Sequence, residues 1–222
     1  KKELTAKLAS YTLEGGSPLF GIFGEANPMN SKQCIAWVWQ TGLGIGDRDY
    51  YLENNEKMQN IRNQYVVLLT KFMNFSGYDK LANITDNTAM AKRILAFETE
   101  LAKVFMDKND TRNPYKTCNI TSIEDWQKML PVIDIKAYMN AIGLGTIDSV
   151  NIGQTDYIKN LNKIIEKTDM DVLKAYLACS FINEGAAYLS SNFVNVNFDF
   201  YGRTLSGKEE QRPRWKRVVD VV

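Results

Sequence analysis

Apolar side chains recur at steps of three and four along most of the chain. Met58, Ile61, Tyr65, Leu68, Leu69, Phe72 and Met73 fall on one stripe of a helix, because 3.6 residues per turn bring such positions onto one face. Asn54 or Asn55 can cap its start, and Gly77 lies just past its end. A second helix is predicted over residues 88–106, with Met90, Ile94, Phe97, Leu101 and Val104 on the apolar face and Glu98 and Glu100 on or near the polar side. Thr121 followed by Glu124 has the capping-box pattern and opens a third helix, which Pro131 ends. Residues 135–141, 157–165 and 172–189 continue the helical period, the last of them interrupted by Gly185 at modest cost. Residues 150–152 read as one short strand. Phe193 to Phe200 alternates apolar and polar positions, and the pattern alone leaves that segment open. "GRTLSGKEEQRPRW" reads as a polar loop. The expected fold is mainly α: many helices, short loops, and at most one or two short strands.

Composition narrows the chemistry. The chain has 222 residues, 45 % hydrophobic and 24 % charged, with a formal net charge of +1. That is an ordinary globular composition for one domain or two small ones. Near-neutral charge gives no electrostatic footprint for nucleic acid. The longest apolar runs, such as 66–69, are too short to span a bilayer. Histidine is absent, which excludes Ser-His-Asp and Cys-His nucleophile systems and an HExxH zinc helix within these residues. A carboxylate pair or a Ser-Lys pair could still do chemistry, but the pattern places neither. The three cysteines, Cys34, Cys118 and Cys179, are far apart and form no CxxC pair. They are expected to be buried apolar fillers. Four N-x-Ser/Thr sequons, at Asn74, Asn83, Asn109 and Asn119, carry no conclusion in an asparagine-rich chain. The ends, "KKELTAKLAS" and "RPRWKRVVDVV", show neither a signal peptide nor a cap. The expectation is a segment of a longer polypeptide.

"TGLGIGDRDYYL", residues 41–52, is the one glycine-rich stretch that invites a chemical reading. Its spacing is GxGxG, whereas a dinucleotide fingerprint needs GxGxxG and an acid about 20 residues on. A P-loop needs Gly-Lys-Ser/Thr, and Asp47 and Asp49 would repel a phosphate. A tight turn is the better reading, with Gly42, Gly44 and Gly46 giving the backbone room. Asp47, Arg48 and Asp49 then tie the turn down by charge-assisted hydrogen bonds. Residues 42–46 and 143–153 are also the candidate hinges. "RPRWKR", residues 212–217, is read as a solvated helix start or an internal contact through Arg214 and Trp215.

The segment "NSKQCIAWVWQTGLGIGDRDYYL" resembles the neprilysin and endothelin-converting-enzyme family of zinc metallopeptidases. Asn30, Ser31, Gln40, Gly42, Leu43, Gly44, Asp47, Arg48, Asp49, Tyr50 and Tyr51 match the family's pattern. Gly46 stands where that family has a proline, which supports a rigid structural turn. "ILAFETELA" and "TRNPYKTCNITSIEDWQKMLP" are similar to later family segments. So is the stretch from Leu173 to Val219, where Phe198, Phe200, Tyr201, Leu205, Gly207, Pro213, Arg214, Trp215 and Arg217 fit. Animal members usually carry a cysteine where Val218 stands, so the resemblance points to a bacterial type.

The resemblance implies that residues 1–222 are part of the N-terminal, non-catalytic helical cap of a metalloendopeptidase, with no catalytic residue and no metal ligand here. The family's HExxH and ExxxD motifs lie beyond the segment that ends here. The parent would use zinc to activate water, and the two domains would enclose a chamber that admits peptides of modest size. The partners implied are the catalytic domain of the same protein and peptide substrates; the location is extracytoplasmic, periplasmic or cell-surface. No substrate-binding residue can be assigned. A second reading is a stand-alone helical module that binds peptides or a partner protein without cutting them. A nucleotide enzyme is a remote third.

Overall fold

The computed structural model describes residues 2–219. Lys1 and residues 220–222, part of the two uncapped ends, lie outside the described residues. In chain order the helices are α1 (Lys2–Leu13), α2 (Asp49–Leu52), α3 (Glu56–Ser76), α4 (Tyr78–Leu81), α5 (Asn87–Val104), α6 (Pro114–Thr117), α7 (Ile123–Met129), α8 (Ile135–Ala141), α9 (Thr155–Lys167), α10 (Met170–Gly185), α11 (Ser191–Asn197) and α12 (Arg214–Val219). A π-helix, Phe198–Leu205, continues directly from α11. The strands are β1 (Phe20–Asn27), β2 (Asn30–Gln40), β3 (Ile120–Ser122) and β4 (Ser149–Ile152).

The fold is mainly α, but it holds a four-stranded sheet in the order β1-β2-β4-β3, where one or two short strands were expected. The extra strands form the hairpin β1–β2, paired antiparallel from Phe20↔Gln40 outward. Pro28 fits the tight turn between them because its fixed φ suits a turn corner. Phe20 and Ile22 of β1 share a face with Val38 and Gln40 of β2, and Phe20 and Val38 enter the core. The far half of the hairpin stands clear of the body, and its residues are exposed. β4 joins β2 in parallel through Trp37↔Asn151 and Val38↔Ile152, and β3 closes the other side antiparallel.

α3 and α5 lie against each other, α10 crosses both, and α9 packs on α5. Their buried stripes are the ones the periodicity marks, among them Ile61, Tyr65, Leu69 and Phe72 on α3 and Ile94, Phe97 and Leu101 on α5. The Asn55 side chain accepts from the Met58 N–H at 2.9 Å and caps α3. Gly77, at φ 69°, ends it in the left-handed conformation.

Other expectations are corrected. α7 is capped by Ser122, one residue later than expected: its hydroxyl accepts the Asp125 N–H at 3.0 Å. Thr121 is held in β3, where its hydroxyl donates to Asn119 O at 2.9 Å. α10 ends at Gly185 and does not run on to residue 189. There the chain tightens, with Ala186 N–H bonding Asn183 O and Tyr188 N–H bonding Gly185 O, since glycine weakens the helical ladder. The alternating stretch 193–200, left open by its pattern, is helical. Phe193, Val196 and Phe200 are also spaced three and four apart, so they share a helix face. Phe193 packs on Phe72 and Phe75, and Phe200 on Tyr65, all from α3. The polar loop begins only after Leu205. In the wide turn before it, the Thr204 and Ser206 hydroxyls donate to the carbonyls of Asp199 and Tyr201, five residues back. Of the cysteines, only Cys179 is buried; Cys34 is exposed on the hairpin and Cys118 is half-buried.

Candidate functional site

The family-motif residues converge on the loop between β2 and α2. Gln40, the last residue of β2, fixes the loop's entry. Its side chain accepts from Met106 N at 2.7 Å and donates to Met106 O at 3.0 Å. Its own N–H donates to Gln154 Oε1 at 2.9 Å. Gly42 adopts φ 106°, and a Cβ there would overlap Pro18 O and crowd the Tyr176 hydroxyl. A Cβ at Gly44 would overlap the Tyr65 hydroxyl. Gly42 therefore needs glycine for space as well as for conformation, and Gly44 needs it for space. Arg48 donates to Phe105 O at 2.6 Å. Asp47 accepts the Asp49 N–H at 3.0 Å, and Lys108 lies 3.6 Å and 3.7 Å from the two carboxylates. Tyr50 is half-buried, and its carbonyl accepts from Arg62 at 2.8 Å.

Tyrosines from surrounding helices hold the loop's carbonyls. Tyr157 of α9 reaches Thr41 O at 2.9 Å and Leu19 O at 2.6 Å. Tyr176 of α10 reaches Gly42 O at 2.9 Å and also meets Pro18 O. Tyr201 of the π-helix donates to Gly44 O at 2.6 Å and accepts from Asn183 Nδ2 at 2.8 Å.

At the centre lies Glu98 of α5. Its side chain is not on the polar face, as expected, but 1 % exposed. It accepts from Tyr51 at 2.5 Å, from Tyr65 at 2.8 Å and from the Gly44 N–H at 3.3 Å. Burial pushes its carboxyl up from 4.5 to about 7, against the lowering effect of these three donors. Burial and the Glu98 charge together push the Tyr51 and Tyr65 hydroxyls well above their ordinary value.

This arrangement positions backbone. Three of the loop's successive N–H groups are taken: Gly44 by Glu98, Ile45 by the Tyr51 hydroxyl at 3.0 Å, and Gly46 by Leu43 O at 2.9 Å. These three N–H groups are therefore not free to cradle a phosphate. A cavity of about 310 Å³ opens beside Glu98, lined by Gly42, Gly44, Asn183, Glu184 and Tyr201 among others, with no lysine or arginine in its wall. The residues here do not fit the zinc that the resemblance implies for the parent. Among the described residues no group of three or more His, Cys, Asp or Glu is placed to hold a metal ion, and the most buried acid is already committed to three donors. Residues 42–46, offered as a hinge, are bonded from four helices: α2, α5, α10 and the π-helix.

The structure thus brings together Gln40, Gly42, Gly44, Asp47, Arg48, Asp49 and Tyr50, and leaves three motif residues apart. Asn30 starts β2 on the exposed hairpin, where its side chain accepts from Lys32 N at 3.3 Å. Arg214 and Trp215 open α12, a solvated helix start, with Trp215 65 % exposed. Glu98 and the tyrosines Tyr65, Tyr157, Tyr176 and Tyr201 went unread as site residues. The signal for Glu98 was present: it lies four residues after Ile94 and three before Leu101, on the apolar stripe itself.

The comparisons with known proteins bear on all of this. The sequence profile described as peptidase family M13, for its N-terminal region, matches residues 1–222. Endothelin-converting enzyme 1 of Cavia porcellus is 27 % identical over 209 residues, covering 91 % of this chain and 27 % of that protein. Neprilysin-11 of Caenorhabditis elegans is 26 % identical over 220 residues, covering 93 % of this chain and 26 % of that protein. The chain therefore spans about a quarter of the length of these curated relatives. Among solved structures, the zinc metalloprotease ZMP1 of Mycobacterium tuberculosis, in complex with inhibitor, superposes with a TM-score of 0.88 at 24 % identity, over 99 % of this chain and 33 % of that one. PEPO of Lactobacillus rhamnosis superposes with a TM-score of 0.77 at 14 % identity, over 99 % of this chain and 34 % of that one. These last two likenesses establish the fold.

Proposed function

The chain belongs to peptidase family M13, and we propose that it is a non-catalytic part of the N-terminal helical cap of a neprilysin-like zinc metalloendopeptidase. One observation carries the reading: the family profile covers all of residues 1–222, yet those residues include no histidine. The catalytic zinc would be held by residues of the parent outside this chain. In the parent, this region helps enclose a chamber that admits peptides of modest size, and the protein works outside the cytoplasm of a bacterium. Among the described residues no helix is long and apolar enough to cross a membrane.

Surface character supports a cap that meets other protein. An apolar groove of about 620 Å³ runs between α1, α4 and α10, lined by Leu4, Tyr11, Leu81, Met170, Leu177 and Phe181. Leu81 is 82 % exposed beside it. Open apolar surface of this kind suits a contact with another domain or chain.

The test is to read the native gene beyond the codon for Val222 and assay its full product on peptides of graded length. The reading expects HExxH and ExxxD downstream, and cleavage that falls away as substrates lengthen. A stop codon at once would leave the stand-alone binding module in its place.

A further inference from the structure

The carboxyl of Glu98 sits at the junction of α5, α2, α3 and the glycine loop, and no cation accompanies it. None of the ion pairs among the described residues includes Glu98. The groups that face it from each packed element are Tyr51 of α2, Tyr65 of α3, Tyr176 and Cys179 of α10, and Tyr201 of the π-helix. All are neutral acids whose ionisation burial pushes upward. Glu184 lines the same cavity; burial pushes its carboxyl up, against the Ser17 backbone hydrogen bond, and as an acid it supplies no countercharge to Glu98. A carboxylate buried without countercharge favours taking up a proton. The geometry accommodates one. Tyr65 Oη lies 2.8 Å from Glu98, and a hydroxyl that donates to the carboxylate can turn and accept from the acid.

We propose that closure of the 41–47 loop onto α5 is proton-linked: the closed loop holds a proton on Glu98, and lifting the loop releases it to solvent. The loop supplies Gly42, Leu43 and Gly44 to the cavity wall, so lifting it hydrates the carboxyl. In water that carboxyl titrates as an ordinary glutamate. Between the ordinary range and neutrality, opening therefore grows easier as pH rises. The inference concerns this loop alone and stands apart from the peptidase reading.

Hydrogen exchange read by mass spectrometry on the full-length protein tests it, using peptides that span residues 41–52. Three amides there report closure: Gly44 on Glu98, Ile45 on Tyr51 and Gly46 on Leu43. After correction for intrinsic exchange, the opening constant should rise about ten- to thirtyfold between roughly pH 5.5 and 8. In Glu98→Gln it should be flat. In Tyr65→Phe, which removes a donor to the ionised form, the rise should move to higher pH. A flat wild-type profile overturns the proposal. So does an unchanged rise in Glu98→Gln or, where that variant fails to fold, an unmoved rise in Tyr65→Phe.

Discussion

The Tyr65 hydroxyl of α3 donates to the Glu98 carboxylate of α5 at 2.8 Å, and both side chains are buried. Gly44 completes the contact from the loop side, its N–H 3.3 Å from the same carboxylate. A glycine in the quoted motif is thus explained by a tyrosine and a glutamate that lie 21 and 54 residues further along the chain.

Gly44→Ala should cost about 3 kcal/mol of stability, since its methyl would overlap the Tyr65 hydroxyl and break the Glu98 contact. Gly46→Ala should cost about 1 kcal/mol, because φ is 100° there but nothing lies within 4 Å of the added carbon. Urea melts of the two variants measure the difference; equal costs would mean that the Tyr65 side chain gives way and that space does not set the requirement at Gly44.

Stability should depend on pH through Glu98 with a definite sign. Its folded carboxyl is raised from 4.5 to about 7. The contribution is therefore fully present below about pH 4.5 and is lost as pH rises through about 7, for a total of about 3 kcal/mol. The wild type measured against Glu98→Gln by denaturant melts across this window should lose its relative stability as pH rises. An opposite slope would mean that the three donors outweigh burial.

Ser122→Ala should destabilise by about 1 kcal/mol, the usual value of a helix N-cap, because the hydroxyl accepts the Asp125 N–H. Ser122→Asp should restore most of that loss. Thermal melts of the pair separate loss of a cap from loss of packing, since Asp restores only the former.

The cysteines should differ sharply toward a thiol reagent. Cys34 is exposed on the hairpin. Cys179 is buried, and burial with the nearby Glu98 charge pushes its thiol up to about 12. Under native conditions Cys34 should react within minutes, while Cys179 reacts only on unfolding. Mass spectrometry of the labelled peptides reads both.

Much of the helical skeleton was legible because its signals are local. Asn55, Gly77 and the stripe from Ile61 to Phe72 specify α3 through contacts within a few turns. The hairpin β1–β2 was less legible: its pairing partners come together only through a turn, and half its length has no core to face. Residues 193–200 stayed open because two-residue alternation also contains a helical subset, and α3 decides between them by receiving Phe193 and Phe200. Of the candidate site, the loop's own residues could be read, since glycine spacing and the Asp-Arg-Asp triplet constrain backbone directly. The clamp could not be read from the loop. Tyr157, Tyr176 and Tyr201 are 116, 134 and 157 residues from the carbonyls they hold. Glu98 could have been placed by its position on an apolar stripe, where a charged residue signals a buried partner.

The most direct test of the account compares zinc content and peptide cleavage of the purified 222-residue chain with those of the full-length gene product, both checked for folding by circular dichroism. The account predicts stoichiometric zinc and cleavage in the full-length protein, and neither in the chain. Tight stoichiometric zinc or peptide cleavage by the chain alone would contradict it.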